Sequence, residues 1–331
     1  MAATFRALYA SEEGRGRYGV EFRDLDESQL PAGDVRIRVA YSSLNYKDAL
    51  AVTGRGKIIR RFPMICGIDL AGTVEESSSP EFRARDRVLA TGQGLSEMRW
   101  GGFSQVARLP AEAVVPLPDV LDLRQAMALG TAGLTAMLAL TALENHGVRP
   151  GPNEVVVSGA AGGVGSLAVM LLARAGYKVA ASTGRPQLHD WLRGLGASSV
   201  VDRAELAAEQ PPLVSERWAG GVDTVGGRTL ASMISATASF GAVAATGMVT
   251  GADIPLSVFP FILRSVSLLG VSSAWTPKAP RLAAWKRLAE TVPTKQLDDV
   301  SRVEPLSRIY ELAEEILAGR IQGRVVLDVN G

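Results

Sequence analysis

The stretch from Glu154 to Ala175 constrains the fold of this chain more than any other. An apolar run, Glu154 to Ser158, enters the turn Ala160-Ala161-Gly162-Gly163-Val164-Gly165. Beyond the turn Val164, Leu167, Ala168, Leu171, Leu172 and Ala175 recur at helical spacing along one apolar face. Strand, glycine turn and helix in that order suit a phosphate-binding turn. Backbone without Cβ atoms lets a pyrophosphate come close, and the helix N-terminus offers free N–H groups and a favourable dipole. The fit to G-x-G-x-x-G is imperfect, because Ala160 takes the place of the first glycine and Gly159 lies one residue earlier. An ordinary glycine turn is the competing reading, and the strand before and helix after decide against it. The expected contacts are Ala161, Gly162, Gly163 and Val164.

A second strand, Tyr177 to Ser182, ends in Ser182-Thr183-Gly184-Arg185, with no acid until Asp190. An NAD-selective site places a carboxylate there to accept from the ribose 2'-hydroxyl. Hydroxyls and a guanidinium instead suit a 2'-phosphate, so NADPH is the expected cofactor, with Arg203 a second phosphate contact. A solvated loop arginine is the bland reading of Arg185. Further strands are expected at Ser199 to Asp202, Val222 to Val225, Gly241 to Thr246 and Ser267 to Val271, completing a doubly wound parallel sheet. Residues 1–125 read differently, as short runs such as Val35 to Ala40, Ala71 to Glu75 and Arg87 to Ala90 between Gly, Pro and Ser. That segment is expected to be mainly β. The tail holds a helix around Trp285, another at Tyr310 to Ala318 and a strand at Arg324 to Val329. The expected division is therefore a first catalytic segment at 1–125, a nucleotide domain at 126–274 and a return segment at 275–331.

With 35 Lys and Arg against 34 acids, the net charge of +1 leaves no footprint for nucleic acid or an anionic membrane. The lone cysteine, Cys66, excludes an internal disulfide and a thiolate zinc cluster, and suits the cytoplasm. Met1 to Gly14 lacks the pattern of a signal peptide. Gln125 to Leu143 is free of charge, but Gly130, Thr131, Gly133, Thr135 and Thr141 dilute it, and it reads as a buried core helix after a turn. His146 and His189 read as surface or capping residues.

Longer blocks carry a resemblance over nearly the whole chain. They are SSLNYKDALAVTGRGKIIRRFPMI at Ser42 to Ile65, GIDLAG at Gly67 to Gly72, GTAGLTAM at Gly130 to Met137, GGVG at Gly162 to Gly165, WAGGVDTVG at Trp218 to Gly226, PFILR at Pro260 to Arg264 and QGR at Gln322 to Arg324. In these the chain resembles the quinone-oxidoreductase-like branch of the medium-chain dehydrogenase/reductases, specifically bacterial acryloyl-CoA reductases. Cys66 departs from the family, which usually has Pro there, and is not read as a nucleophile. The resemblance implies an α/β architecture: a GroES-like, mainly β catalytic domain, an NADPH-binding Rossmann domain, and an active site between them. It also implies a homodimer. The blocks that hold zinc in metal-dependent relatives contain Asn45, Ile68 and Thr131 here, so no metal is expected.

Hydride transfer without a metal needs an electrophile that is already activated, and an enoyl thioester or a quinone qualifies. The resemblance makes Tyr46 and Asn45 the candidates for contacts to the substrate carbonyl or nicotinamide, with Asp69 orienting them. A merely structural hydrogen-bonded turn is the alternative. Thr131, Gly247, Ile262, Ser273 and Arg324 are carried over as cofactor contacts. Arg55, Lys57, Arg60 and Arg61 form a basic run suited to coenzyme A phosphates, or to a solvated loop. The leading expectation is NADPH-dependent reduction of acryloyl-CoA. A quinone reductase of the same fold and a non-catalytic nucleotide-binding protein are the alternatives.

Overall fold

The apolar runs of the second half form a six-stranded sheet in which every pairing is parallel. In chain order its strands are Glu154–Val157, Val179–Thr183, Ser199–Asp202, Trp218–Asp223, Thr237–Ala245 and Ser267–Gly270. Their spatial order is 3-2-1-4-5-6, the doubly wound arrangement. The central strands are covered on both faces and so need no polar alternation. Val155, Val156, Val157, Val179, Ala180 and Ala181 are all fully buried. The fourth strand begins four residues before its expected start at Val222. Gly220 and Gly221 send no strand signal, yet packing requires them. A Cβ on Gly220 would lie 2.6 Å from the Ala242 carbonyl oxygen, and one on Gly221 2.7 Å from Met233 Cε.

The computed structural model describes residues 4–14 and 17–331, which divide into two compact units. One holds the described residues up to Thr131 together with Ser273–Ala289 and Pro293–Gly331; the other holds Ala132–Ser272 and Glu290–Val292. The parallel sheet belongs to the second.

The first unit is built on a mostly antiparallel sheet ordered Ser301–Pro305, Arg324–Asp328, Val35–Ser43, Asp69–Ser77, Arg87–Thr91 and Val115–Pro116. Val106–Leu109 also pairs with Val35–Ser43. Alternation is clean on Val35–Ser43. Val35, Ile37 and Val39 enter the core, while Arg36 bridges Glu27 at 2.6 Å and Arg38 bridges Glu75 at 2.5 Å. Arg324–Asp328 runs antiparallel to the same strand, with Val326 opposite Ser43. The strand Arg324–Asp328 is thereby placed against residues some 280 positions earlier.

The apolar stretch beginning near Gln125 is helical, Leu123–His146, and 78% of its most apolar window is buried. By length and composition it is the one described helix able to cross a membrane. A turn at Asp119 and Val120, closed by the Leu121 N–H donating to the Pro118 carbonyl at 3.0 Å, precedes it as expected. The helix also breaks within its length at Gly130, which has φ 51° and ψ −153°.

Candidate functional site

In the second unit the glycines divide two tasks between them. Gly159 adopts φ 57°, and a Cβ there would collide with Thr224 Oγ1; one on Gly165 would collide with the Gly159 carbonyl. These two let the helix Gly163–Arg174 close onto the strand that precedes it. A Cβ on Gly162, the residue that caps this helix, would meet only the Gly159 oxygen, at 3.3 Å. The helix end at Gly162, Gly163 and Val164 thus stays accessible, and all three are half-buried. Ser158 braces the turn by donating to Asp223 Oδ1 at 2.6 Å and accepting from the Thr224 N–H at 2.9 Å. Burial pushes the Asp223 carboxyl up, against the hydrogen bonds it accepts from Ser158 Oγ and from the Gly226 and Val225 N–H groups. Gly247 packs on Thr224, where a Cβ would collide with the Thr224 carbonyl.

Ser182 and Thr183 are buried at the end of the second strand, and Thr183 Oγ1 accepts from the Arg185 N–H at 3.2 Å. Arg185 Nη2 donates to the Ala161 carbonyl at 3.0 Å, which ties the two loops together. Just past the third strand, Arg203 reaches Gly184, where a Cβ would lie 2.8 Å from its Nε. Burial first, then the neighbouring Arg203, pull the Arg185 guanidinium below its usual value. A second cation close enough to disfavour the charge of Arg185 suits an anion shared between the two. Asp202, the nearest acid in sequence, is spent capping the helix Arg203–Ala207 by accepting from Ala204 N–H at 2.8 Å. These residues fit NADPH: hydroxyls and guanidinia stand at the ribose end, and free helix N–H groups at the pyrophosphate.

In the first unit Asn45, Asp69, Thr131 and Arg324 come together. Asp69 Oδ2 accepts from Ser43 Oγ at 2.5 Å, Asn45 Nδ2 at 2.9 Å and the Thr131 N–H at 2.9 Å, and Oδ1 accepts from Thr131 Oγ1 at 2.5 Å. Arg324 donates to the carbonyls of Ala128 and Leu44, to Asn45 Oδ1 at 3.2 Å and to Ser43 Oγ at 2.9 Å. Gly130 is the hinge that admits them. A Cβ there would sit 2.6 Å from Asp69 Oδ2, 2.8 Å from Ser43 Oγ and 2.9 Å from Arg324 Nη2. Burial pulls the Arg324 guanidinium down and the Asp69 and Asp48 carboxylates raise it. It stays protonated, as arginine does.

This geometry corrects two of the expectations. Arg324 is 2% exposed and spends its N–H groups on protein acceptors, so it braces the interior rather than reaching a cofactor. Asn45 is likewise buried, with Nδ2 on Asp69 and Asp48 and Oδ1 on Arg324, which leaves it a positioning role. Tyr46 follows it as the first residue of the helix Tyr46–Thr53 and is half-buried. Ile68 lies buried beside this group, and Ile262 is exposed on the helix Phe259–Arg264. Ser273, half-buried, is packed near Gly92. Among the described residues no group of three or more His, Cys, Asp and Glu is arranged to hold a metal ion.

Sequence reasoning passed over Asp48, three residues after Asn45 in a capping-box spacing. It is fully buried and accepts from the Asn45 N–H at 2.9 Å and the Ile68 N–H at 2.9 Å. Burial, and then Asp69, push its carboxyl up to about 7. Burial, and then Asp48, push the Cys66 thiol up, which keeps it an inert core residue. Glu97 was also unforeseen. It is buried, forms an ion pair with Lys47 and stands 3.9 Å from Arg60. Arg55 is paired with Glu314 at 2.7 Å. Of the basic run, Lys57 and Arg61 are exposed and without an ion-pair partner among the described residues.

A dinucleotide cradle on a doubly wound sheet, with a mainly β unit beside it in sequence, defines an oxidoreductase architecture. Residues 31–119 match the family of the alcohol dehydrogenase GroES-like domain and residues 163–288 that of the zinc-binding dehydrogenases. The chain belongs to the medium-chain dehydrogenase/reductase superfamily and, within it, to the acrylyl-CoA reductase family. It is 48% identical to the acrylyl-CoA reductase AcuI of Ruegeria pomeroyi, over 98% of this chain and 99% of that protein. A Bacillus subtilis protein, YhfP, provisionally named a quinone oxidoreductase, is 43% identical over 99% of each chain. The crystal structure of Escherichia coli YhdH with bound NADPH superimposes with a TM-score of 0.94 at 49% identity, covering 98% of this chain and all of that one.

Proposed function

We propose that the chain is an NADPH-dependent oxidoreductase that reduces an activated carbon–carbon double bond, acryloyl-CoA to propionyl-CoA, without a metal ion. The observation that carries this reading is the 48% identity, end to end, with an acrylyl-CoA reductase. When bound, NADPH supplies the hydride that adds to the β-carbon of the conjugated thioester, and a proton completes the α-carbon. The N–H groups at Gly162, Gly163 and Val164 hold the pyrophosphate, while Ser182, Thr183, Arg185 and Arg203 hold the 2'-phosphate. Tyr46 meets the thioester carbonyl or the nicotinamide, and Asn45, Asp69 and Thr131 fix the turn that carries it. Lys57 and Arg61 serve the coenzyme A phosphates. In this reading residues 1–125 and 275–331 form the catalytic part and 126–274 the nucleotide part of a cytoplasmic homodimer. The partner is a small molecule, neither nucleic acid nor membrane.

The Bacillus subtilis relative favours a second reading, an NADPH:quinone oxidoreductase on the same site. Oxidation of NADPH in buffer containing a chelator, with acryloyl-CoA, longer enoyl-CoAs and a set of quinones, separates the readings. Turnover of acryloyl-CoA undiminished by the chelator is expected. Turnover of quinones alone moves the assignment to the second reading, and no turnover of any substrate leaves a non-catalytic nucleotide-binding protein. Loss of activity on chelation, restored by zinc, refutes the metal-free mechanism.

A further inference from the structure

Four of the five residues from Gly92 to Ser96 have positive φ, and two of them, Gln93 at 54° and Ser96 at 65°, carry side chains. A side chain in the left-handed region costs free energy, and it persists only where the surroundings hold it there. Here they do. The Gln93 N–H and Nε2 donate to the carbonyls of Ala274 and Thr276, at 2.7 and 3.0 Å, and the Ser96 N–H donates to the Arg99 carbonyl at 2.9 Å. The residue that this strained turn delivers to the interior is Glu97. It is 7% exposed, and its carboxylate is answered by Lys47, 50 residues earlier in the chain. A buried ion pair adds little net stability, because desolvation offsets the attraction; what it fixes is the relative place of two segments.

Lys47 is the second residue of the helix Tyr46–Thr53 and follows Tyr46 directly. Tyr46 is half-buried and its hydroxyl has no hydrogen-bond partner among the described residues, so its neighbours in the chain place it. Before it, Asn45 and Asp48 close the capping box; after it, Lys47 meets Glu97. The Glu97 carbonyl has a separate task. It accepts from the Arg60 N–H at 2.9 Å and so fastens the basic loop through backbone alone.

We propose that Glu97 is a positioning residue for the reduction: through Lys47 it holds the start of the helix Tyr46–Thr53, and with it Tyr46, in place for the reacting groups. Its basis is the role of Tyr46 proposed above, whichever acceptor is reduced. Since the carbonyl anchors the basic loop without help from the side chain, loss of the carboxylate slows turnover and leaves substrate binding nearly intact.

Steady-state oxidation of NADPH by the full chain tests it, with acryloyl-CoA or, where that is not turned over, with a quinone. Glu97→Gln is expected to lower kcat about ten- to hundredfold and to move the KM for either substrate by less than about threefold. Lys47→Met should lose as much, the two together no more than either alone, and Lys47→Arg should recover most of what Lys47→Met loses. In a Tyr46→Phe background Glu97→Gln should cost little further. A raised KM at unchanged kcat, an undiminished kcat, or losses from Glu97→Gln and Tyr46→Phe that multiply overturns the proposal. Turnover of quinones alone refutes the substrate reading and leaves the same comparison to be made on the quinone; no turnover of any acceptor overturns both. Should Glu97→Gln fail to fold, Lys47→Met and Lys47→Arg, at the more exposed end of the pair, decide.

Discussion

Gly184 lies where a side chain would strike Arg203, and the guanidinium of Arg185 stands close to that of Arg203, the pair proposed here to hold the 2'-phosphate. A charge-assisted hydrogen bond contributes about 1.5–3 kcal/mol, or roughly ten- to hundredfold in binding. Alanine at both Arg185 and Arg203 should therefore raise the KM for NADPH by at least tenfold and leave that for NADH nearly unchanged. Steady-state kinetics with both cofactors checks it. Asp48 sets a pH dependence of stability. Its carboxyl is pushed up to about 7 by burial and Asp69, whereas an unfolded aspartate titrates near ~3.9. Between those values the folded chain keeps a proton that the unfolded chain has lost. The stabilisation is complete below the lower value and disappears as pH rises through the upper one. Tm should fall across this window, and Asp48→Asn should flatten the fall even though it costs stability at every pH. A slope unchanged by the substitution would remove Asp48 as its source.

Two elements behave as their neighbours dictate. The helix Leu123–His146 bends at Gly130 because Asp69, Ser43 and Arg324 fill the space a side chain would need. Gly130→Ala adds a positive-φ penalty to the clash, and an expected loss of about 2 kcal/mol or more should appear as a lower midpoint in urea. The basic loop is less uniform than its sequence. Arg55 answers Glu314 and Arg60 lies near Glu97, so the charge left for a ligand resides on Lys57 and Arg61. Alanine at these two should raise the KM for acryloyl-CoA by about tenfold while barely altering the KM for a quinone. Parallel changes in both would make the loop a solvated face.

For the molecule as a whole, the open edge of the parallel sheet matters. Ser267–Gly270 is its last strand, and Val258, Ile262 and Leu263 are each more than 60% exposed on the segment leading to it. Unpaired strand edges and clustered exposed apolar side chains favour association with a second copy. In the proposed homodimer, Ile262→Asp with Leu263→Asp should halve the mass measured by light scattering and leave the circular dichroism spectrum unchanged. The doubly wound sheet was legible in the sequence because strands buried on both faces must be continuous apolar runs, and a glycine turn between strand and helix has few other uses. The residues proposed to read the ribose were legible for a similar reason, since they follow directly on one strand. The start of the fourth strand was not, since Gly220 and Gly221 are chosen by what packs on them. Nor was the inward role of Arg324, which reaches Ser43 across 281 residues of chain. A local pattern reports the geometry of its own backbone, and the sequence by itself determined as much as that. Which buried donor meets which acceptor depends on strands paired from opposite ends of the chain, and only the tertiary structure decided it.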